Sequence, residues 1–334
     1  MHRWRIGCVV CALVPAWIGG LGGCGAPNDR NAVASERRES PWFVDVTAAS
    51  GVEHQYVTGG SGALYMPEIM GGGGALVDVD LDGDLDLYLT NGHHGLPDPH
   101  HDDETTDRLF LNRGDGTFID ATANLGDGGR GYGMGVTVGD VDNDGDPDLY
   151  VTNHGRDRLL LNRGDGGFDD VTSGWGIDVP GWSASAAFLD FDADGWLDLY
   201  VVQYVHFDPD HRCFDRAGRP DYCGPKAFPP ASDVLLRNDA GRGFIDVSAR
   251  AGLQSVAGAG LGVAIDDYDD DGRIDVYVAN DAYANQLWIN QGDGTFRDRA
   301  IGFGVAFNLH GQAEAGMGVV SADFNRDARS DLVV

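Results

Sequence analysis

Aspartate recurs at alternate positions in four short segments of this chain. Each segment has the pattern Asp-x-Asp-x-Asp-Gly-x-x-Asp, and the segments begin at Asp78, Asp140, Asp190 and Asp267. Carboxylates at alternate positions of a tight loop converge on one point, and the glycine permits a turn that a side chain would obstruct. The pattern therefore predicts four oxygen-lined sites for a hard cation, and Ca²⁺ fits them best.

Side-chain ligands are expected from the first, third, fifth and ninth positions of each loop. These positions hold Asp78, Asp80, Asp82 and Asp86; Asp140, Asp142, Asp144 and Asp148; Asp190, Asp192, Asp194 and Asp198; and Asp267, Asp269, Asp271 and Asp275. The seventh position should offer its backbone carbonyl, so its side chain is free to vary. It is Asp84, Asp146, Trp196 or Arg273.

A fifth segment has a degenerate form of the same pattern. Its four ligand positions are Asp323, Asn325, Asp327 and Asp331, and Ala328 replaces the glycine. With one carboxylate fewer and no glycine at the turn, this segment should bind a cation weakly or not at all.

Other interpretations of the loops agree less well with their sequence. Mg²⁺ prefers a rigid octahedral shell, and Zn²⁺ or copper would require His or Cys ligands that the loops lack. A metal-free Asp-Gly turn needs only one aspartate, whereas crowded carboxylates repel one another unless a cation compensates. An EF-hand would have Glu at the twelfth position and flanking helices. That position is Leu89, Val151, Val201 or Val278, each within strand-forming sequence.

The Asp-rich loops belong to a longer repeat. A Gly-rich apolar strand precedes each loop and a second strand follows it. Two further strands are joined by hairpins at residues 107–118, 157–168, 233–244 and 285–296. Each unit is thus predicted to be a four-stranded antiparallel meander. Its period of 50 to 77 residues and its small first-strand residues indicate an all-β β-propeller, with about four complete blades and a partial fifth.

The Gly-rich strand, the Asp-rich loop and the Asp-Leu-Tyr strand resemble the FG-GAP or VCBS repeat of integrin-α-like propellers. The phrases at residues 43–51, 112–118 and 222–225 are similar to the ASPIC/UnbV, or cartilage-acidic-protein-like, group. The resemblance covers residues 42–334 and implies a Ca²⁺-binding propeller; such propellers serve as adhesion modules, lectins and appendages of enzymes. Related propellers usually have seven blades followed by an ASPIC/UnbV segment, so we expect a C-terminally truncated protein.

The N-terminal residues are typical of an export signal. Basic residues precede an apolar run at residues 6–18, and residues 21–24 resemble a bacterial lipobox. Residues 1–24 are therefore predicted to be a lipoprotein signal peptide that leaves Cys24 lipidated, and residues 25–41 a flexible tether. An ordinary cleaved secretory signal is the alternative. In either case we expect an exported protein, either a lipoprotein of the outer membrane or periplasm or a secreted protein.

Two further cysteines lie in a Pro-rich insertion at residues 206–232. In an oxidising compartment Cys213 and Cys223 are expected to form a disulfide, and a metal site with His206 and His211 is the alternative. The formal net charge of −30 argues against binding to nucleic acid or to anionic lipid surfaces. Contact with a membrane is therefore expected only through the N-terminal lipid.

These observations favour a binding module. We expect Ca²⁺ to be structural and a protein or glycan at the outer cell surface to be the ligand, with recognition by the loops at residues 93–107 and 206–232. Motifs of nucleophilic or zinc-dependent catalysis are absent, so no catalytic residues are predicted. The alternatives are a scaffold or accessory domain of an enzyme acting on cell-surface polysaccharide or lipid, and a structural envelope component.

Overall fold

The computed structural model describes residues 43–98 and 105–334. The predicted signal peptide, the lipidation site Cys24 and the tether at residues 25–41 lie outside the described residues. So does the middle of the loop at residues 93–107. Within the two described ranges, no helix has both the length and the apolar character required to span a membrane.

The strands form four-stranded antiparallel sheets in which each strand pairs with the next one of its meander. The first blade contains β1 (Gly74–Val77), β2 (Asp86–Leu89), β3 (Arg108–Asn112) and β4 (Phe118–Asp120). The second contains β5 (Gly133–Gly139), β6 (Asp148–Asn153), β7 (Arg158–Asn162) and β8 (Phe168–Asp170). The third begins with β9 (Ser183–Leu189) and β10 (Asp198–Gln203).

An insertion interrupts the third blade. It contains the short hairpin of β11 (Cys213–Phe214) and β12 (Pro220–Asp221), after which the blade continues with β13 (Val234–Asn238) and β14 (Phe244–Asp246). The fourth blade contains β15 (Gly260–Asp266), β16 (Asp275–Asn280), β17 (Gln286–Asn290) and β18 (Phe296–Asp298). The two strands β19 (Val320–Ala322) and β20 (Asp331–Val333) form a further sheet. The predicted all-β fold of four blades and a partial fifth is confirmed.

Helical segments are short. Three α-helical turns follow fourth-strand sequences: α1 (Thr47–Ser50), α2 (Ser248–Ala251) and α3 (Ala300–Phe303). The 3₁₀ segments are Met66–Ile69, Thr122–Gly129, Pro225–Ala227 and Leu253–Ser255. Residues 43–46 match the fourth strands in sequence but form no strand, and Phe43 is exposed. No described third strand lies beside them to supply hydrogen bonds.

The first strands of successive blades lie side by side. β1 contacts β5, β5 contacts β9, β9 contacts β15, and β15 contacts β19. A Cβ atom on Gly135 would lie 3.0 Å from the carbonyl oxygen of Ala184, and one on Gly262 would lie 2.8 Å from that of Met317. Glycine at these positions therefore allows a first strand to approach closely the first strand of the next blade or the segment directly before it, which explains the Gly-rich sequences before the loops.

A buried tyrosine–aspartate pair closes each of the first three blades. In the second blade the Tyr150 hydroxyl donates to Asp157 Oδ2 at 2.8 Å, and the backbone N–H of Asn153 donates to Asp157 Oδ1 at 2.8 Å. Tyr88 with Asp107, and Tyr200 with Asp233, repeat this arrangement. Burial raises the pKa of each of these three carboxyls to about 7. The fourth blade has Asn285 instead, which accepts the Asn280 N–H at 2.9 Å.

The substitution Asp157→Asn tests this arrangement, because the fourth blade has asparagine, Asn285, at the equivalent position. Folded Asp157 keeps its proton up to about pH 7, whereas an unfolded aspartate loses it at about pH 4. Between these values the folded state binds more protons, so this group makes stability fall as the pH rises. The free energy of unfolding of Asp157→Asn, relative to wild type, should therefore increase across this window in chemical denaturation.

Asp210→Asn is the matched control, because Asp210 is an exposed carboxyl of the insertion. Its curve should run parallel to that of the wild type. If Asp157→Asn also runs parallel, the buried carboxyl does not titrate as described.

Candidate metal centres

The first aspartate of each loop holds the loop backbone in place. Its two carboxylate oxygens accept the N–H groups of the fifth and sixth residues, at 2.7–3.1 Å in all five loops. The fourth residue has left-handed backbone geometry with φ between 58° and 66°: Leu81, Asn143, Ala193, Asp270 and Arg326. The sixth is left-handed too, which favours glycine there and explains why Gly83 and its equivalents recur. The fifth loop reaches this conformation with Ala328 at φ 68°.

The structure brings three carboxylates together in each of the first four loops. Oxygens that lie within 4.8 Å of one another belong to Asp78, Asp80 and Asp86; Asp140, Asp142 and Asp148; Asp190, Asp192 and Asp194; and Asp267, Asp269 and Asp271. Each cluster thus contains the aspartates of the first and third positions. The third member is the ninth-position aspartate in the first two loops and the fifth-position aspartate in the other two. At the fifth loop, where Asn325 replaces a carboxylate, no such cluster forms among the described residues.

These groups suit a hard divalent cation. Asp80 Oδ1 is shielded from solvent and has no hydrogen-bond partner among the residues that the structure describes. Burial raises the pKa of Asp80, and the charge of Asp82 raises it further. The same two causes, burial and then the fifth-position aspartate, raise the pKa of Asp142 and Asp192. A cation would satisfy the oxygen and offset the repulsion, and the all-oxygen donor set fits Ca²⁺.

At the seventh position the backbone N–H group forms a hydrogen bond within the loop. The role of the carbonyl group as a ligand stays a prediction. The N–H groups of Asp84, Asp146, Trp196 and Arg273 donate to the fifth-position aspartates at 2.9–3.0 Å. The Arg273 guanidinium also pairs with Asp271. In the fourth loop a bound cation would therefore share the Asp271 carboxylate with an arginine.

The ninth-position aspartates are structural as well as candidate ligands. Asp86, Asp148, Asp198 and Asp275 are at most 1% exposed. Oδ2 of each accepts the N–H of the second loop residue at 2.9–3.1 Å. Oδ1 accepts the N–H of the asparagine that ends the third strand, at 2.8–2.9 Å. Each of these carboxylates thus ties its loop to the hairpin of the same blade.

The same asparagines also join neighbouring blades, a role that the sequence interpretation did not assign. The side-chain amide of Asn162 donates to the carbonyl oxygen of Val79, in the loop of the preceding blade, at 2.8 Å. Asn238 reaches Val141 and Asn290 reaches Phe191 at the same distance. The only signal in the sequence was the recurrence of asparagine at one position of the hairpin phrases.

The structure joins Cys213 and Cys223 by a disulfide with an S–S distance of 2.09 Å. His211 lies close to both sulfur atoms, but the disulfide leaves no thiolate for a metal. His206 lines a separate cavity of about 430 Å³ together with His154, Arg156, Trp182 and Phe207. His93, the first residue of the loop predicted to carry recognition, is 2% exposed and packs edge-on against Tyr132, so the prediction is wrong for this residue.

Replacing Asn238 by Ala should destabilise the protein by about 1–3 kcal/mol, because it leaves the buried Val141 carbonyl without its donor. Asn112 is the matched control. Its amide donates to Leu85 of its own blade at 2.9 Å and is exposed. Chemical denaturation at saturating calcium should show a clearly smaller loss for Asn112→Ala, and equal losses would contradict the inter-blade role.

Calcium binding should weaken as the pH falls from about 8 to about 6. Burial raises the pKa of Asp148 and Asp198 to about 7 and that of Asp275 to about 6, so protons compete for these carboxyls in this range. Calorimetric titration at each pH measures the affinity, and native mass spectrometry should count four ions at the higher pH.

Asp142→Asn should reduce the count of bound ions to three. An unchanged count would exclude Asp142 as a ligand.

Comparison with known proteins agrees with this geometry. The family model of the FG-GAP-like repeat matches residues 78–151, 140–201 and 267–334, more than half of the chain. Human cartilage acidic protein 1 is 35% identical over 139 residues, covering 36% of this chain and 19% of the relative. The protein of the same name from Xenopus tropicalis is 33% identical over 135 residues, covering 36% and 20%.

The chain spans about one fifth of the length of these curated relatives. The matched residues contain all five Asp-rich loops, and the insertion at residues 206–232 lies between the second and third matched ranges. The similarity to cartilage acidic protein 1 confirms the group that the sequence phrases indicated. The chain belongs to the FG-GAP-like repeat family.

Proposed function

We propose that the protein is an exported, calcium-stabilised β-propeller module that binds a protein or glycan ligand at the outer cell surface. The FG-GAP-like repeats and the disulfide fit an extracellular protein. Attachment through lipidated Cys24 is part of the proposal, as is the absence of contact with nucleic acid.

Calcium has a structural role in this proposal. The first- and ninth-position carboxylates already accept backbone N–H groups that shape the loop, as in Asp140 and Asp148. A cation bound to the same groups would lock this geometry, and it would keep the carboxyls ionised and unsuited to acid catalysis. We therefore propose a binding function without catalysis.

The observation that carries the proposal is the separation of the calcium loops from the insertion. β10 begins at the ninth-position Asp198 and ends at Gln203, three residues before the insertion begins at residue 206. Six residues of extended strand span about 20 Å. Ions at the loops therefore stabilise the blade from one end, while the insertion presents a recognition surface at the other.

The insertion is an exposed loop that a disulfide and contacts with other residues hold in place. The disulfide closes its hairpin, and Phe214 at the start of the tip is 63% exposed. The base is anchored to residues before the first blade. The Tyr222 hydroxyl donates to Glu68 Oε2 at 3.1 Å, and the Arg212 guanidinium lies 4.9 Å from the Tyr65 ring centroid. Such anchoring reduces the entropy lost when the loop binds a ligand.

Replacing residues 214–219 by a Gly-Ser segment should abolish ligand binding while leaving calcium affinity and melting temperature unchanged. These residues form the exposed tip, and the anchoring contacts lie outside them. Binding is measured on a panel of immobilised uncharged surface glycans and envelope proteins.

The matched control is the same replacement in the β13–β14 turn at residues 239–242, at the calcium end of the blade. That variant should keep its binding to the panel. Binding that survives the tip replacement would exclude the insertion as the recognition surface.

A further inference from the structure

In the second, third and fourth blades, the turn between the third and fourth strands lies beside the Asp-rich loop of the preceding blade. At the first junction a Cβ on Gly166 would lie 3.4 Å from Asp80 Cβ. At the second, a Cβ on Gly241 would lie 3.4 Å from Asp142 Cα. At the third, Gly294 lines one cavity together with Asp192. The repeat therefore provides three equivalent junctions that can be compared within one chain.

The first two junctions are filled by the protein itself. At the first, the Asn124 amide donates to the Gly166 carbonyl at 3.0 Å, and Leu111 packs beside the same turn. At the second, the Trp196 ring lies against Gly241, 2.6 Å from where a Cβ would stand. The arginines of these two turns, Arg163 and Arg242, are paired with aspartates of their own hairpins, Asp169 and Asp239.

The third junction, between the third and fourth blades, encloses a cavity of about 240 Å³ with two arginines in its lining. Arg237 occupies the strand position that is Leu111, Leu161 or Ile289 in the other blades. Arg250 occupies the position after the fourth strand that is Asn124, Gly174 or Gly302 in the others. The remaining lining residues are Phe191, Asp192, Val247 and the turn at residues 292–294.

Neither guanidinium forms a hydrogen bond or an ion pair with any residue in the described ranges. The charge of Arg237 does affect Asp192. Burial and the charge of Asp194 raise the pKa of Asp192, and the positive charge of Arg237 lowers it. A strand position that is apolar in the other blades thus carries a charge whose donors are available to a ligand.

The cavity presents donors and acceptors together. Two guanidiniums can bind one carboxylate through paired N–H groups, and Asp293 in the turn can accept from hydroxyls. Phe191 and Val247 supply apolar contact for a ring. We propose that this cavity binds an acidic sugar residue, with the sugar carboxylate held between Arg237 and Arg250. This site goes beyond the proposed function and lies at the opposite end of the third blade from the insertion.

The test is a titration with glucuronate at saturating calcium, followed by saturation-transfer NMR. The wild type should bind glucuronate at least tenfold more tightly than glucose or N-acetylaspartate. Arg237→Leu and Arg250→Asn introduce the residues of the first blade, so both should fold, and each should weaken glucuronate binding at least tenfold. Arg242→Ala, which removes an exposed arginine paired with Asp239 in the same blade, should leave it unchanged.

Three results would overturn the inference. Glucose binding as tight as glucuronate binding would show that the carboxylate is not recognised. Tighter binding of N-acetylaspartate would assign the site to acidic peptides, and retained binding in both arginine variants would place the ligand elsewhere. Because the insertion is intact in all these variants, its binding to the glycan and protein panel is a separate readout that distinguishes failure of this site from failure of the proposed function.

Discussion

Each blade depends on one buried carboxylate, the aspartate at the ninth position of its loop. An isolated carboxylate in a dry interior is very costly, and the raised pKa of Asp148 and Asp198 is the sign of that cost. Two backbone N–H groups offset part of it, one from the loop and one from the hairpin. Both carboxylate oxygens have their hydrogen-bond donors only while the loop and the hairpin stay in place. Burial of this group therefore links the loop conformation to the folding of the whole blade.

The second loop residue extends this linkage to the next blade. The N–H of Val79 donates to Asp86 of its own blade, and its carbonyl accepts from Asn162 of the following blade. One peptide segment thus lies between a potential cation ligand and the neighbouring hairpin. Repeat proteins draw much of their stability from interfaces between adjacent units. Here those interfaces act on the same backbone that shapes the candidate metal sites, so a cation bound at these sites would also stabilise the packing of neighbouring blades.

The sequence predicted the parts of this fold that depend on local pattern. Asp-x-Asp-x-Asp-Gly loops between alternating strands indicated blades, and glycines such as Gly135 indicated close packing of first strands. Contacts between distant residues were not predictable in this way. Asn162 and Val79 are separated by 83 positions, and only the register of two blades shows which carbonyl the amide meets. His93 looked like part of a polar loop because its charged neighbours dominate the local composition, yet its ring packs against Tyr132.

Comparing equivalent positions of the blades separates residues that the fold requires from residues that are specific to one blade. A residue type that recurs in every blade, such as the asparagine ending the third strand, has a structural role that all the blades share. A residue type found in one blade only must be explained by what differs there. Arg237 cannot serve packing as Leu111 and Leu161 do, because a guanidinium beside a cavity retains its demand for an acceptor. The insertion with its disulfide is the other large departure, and both occur in the third blade. The blade that departs most from the repeat is therefore where ligand recognition should be sought, at both ends of its strands.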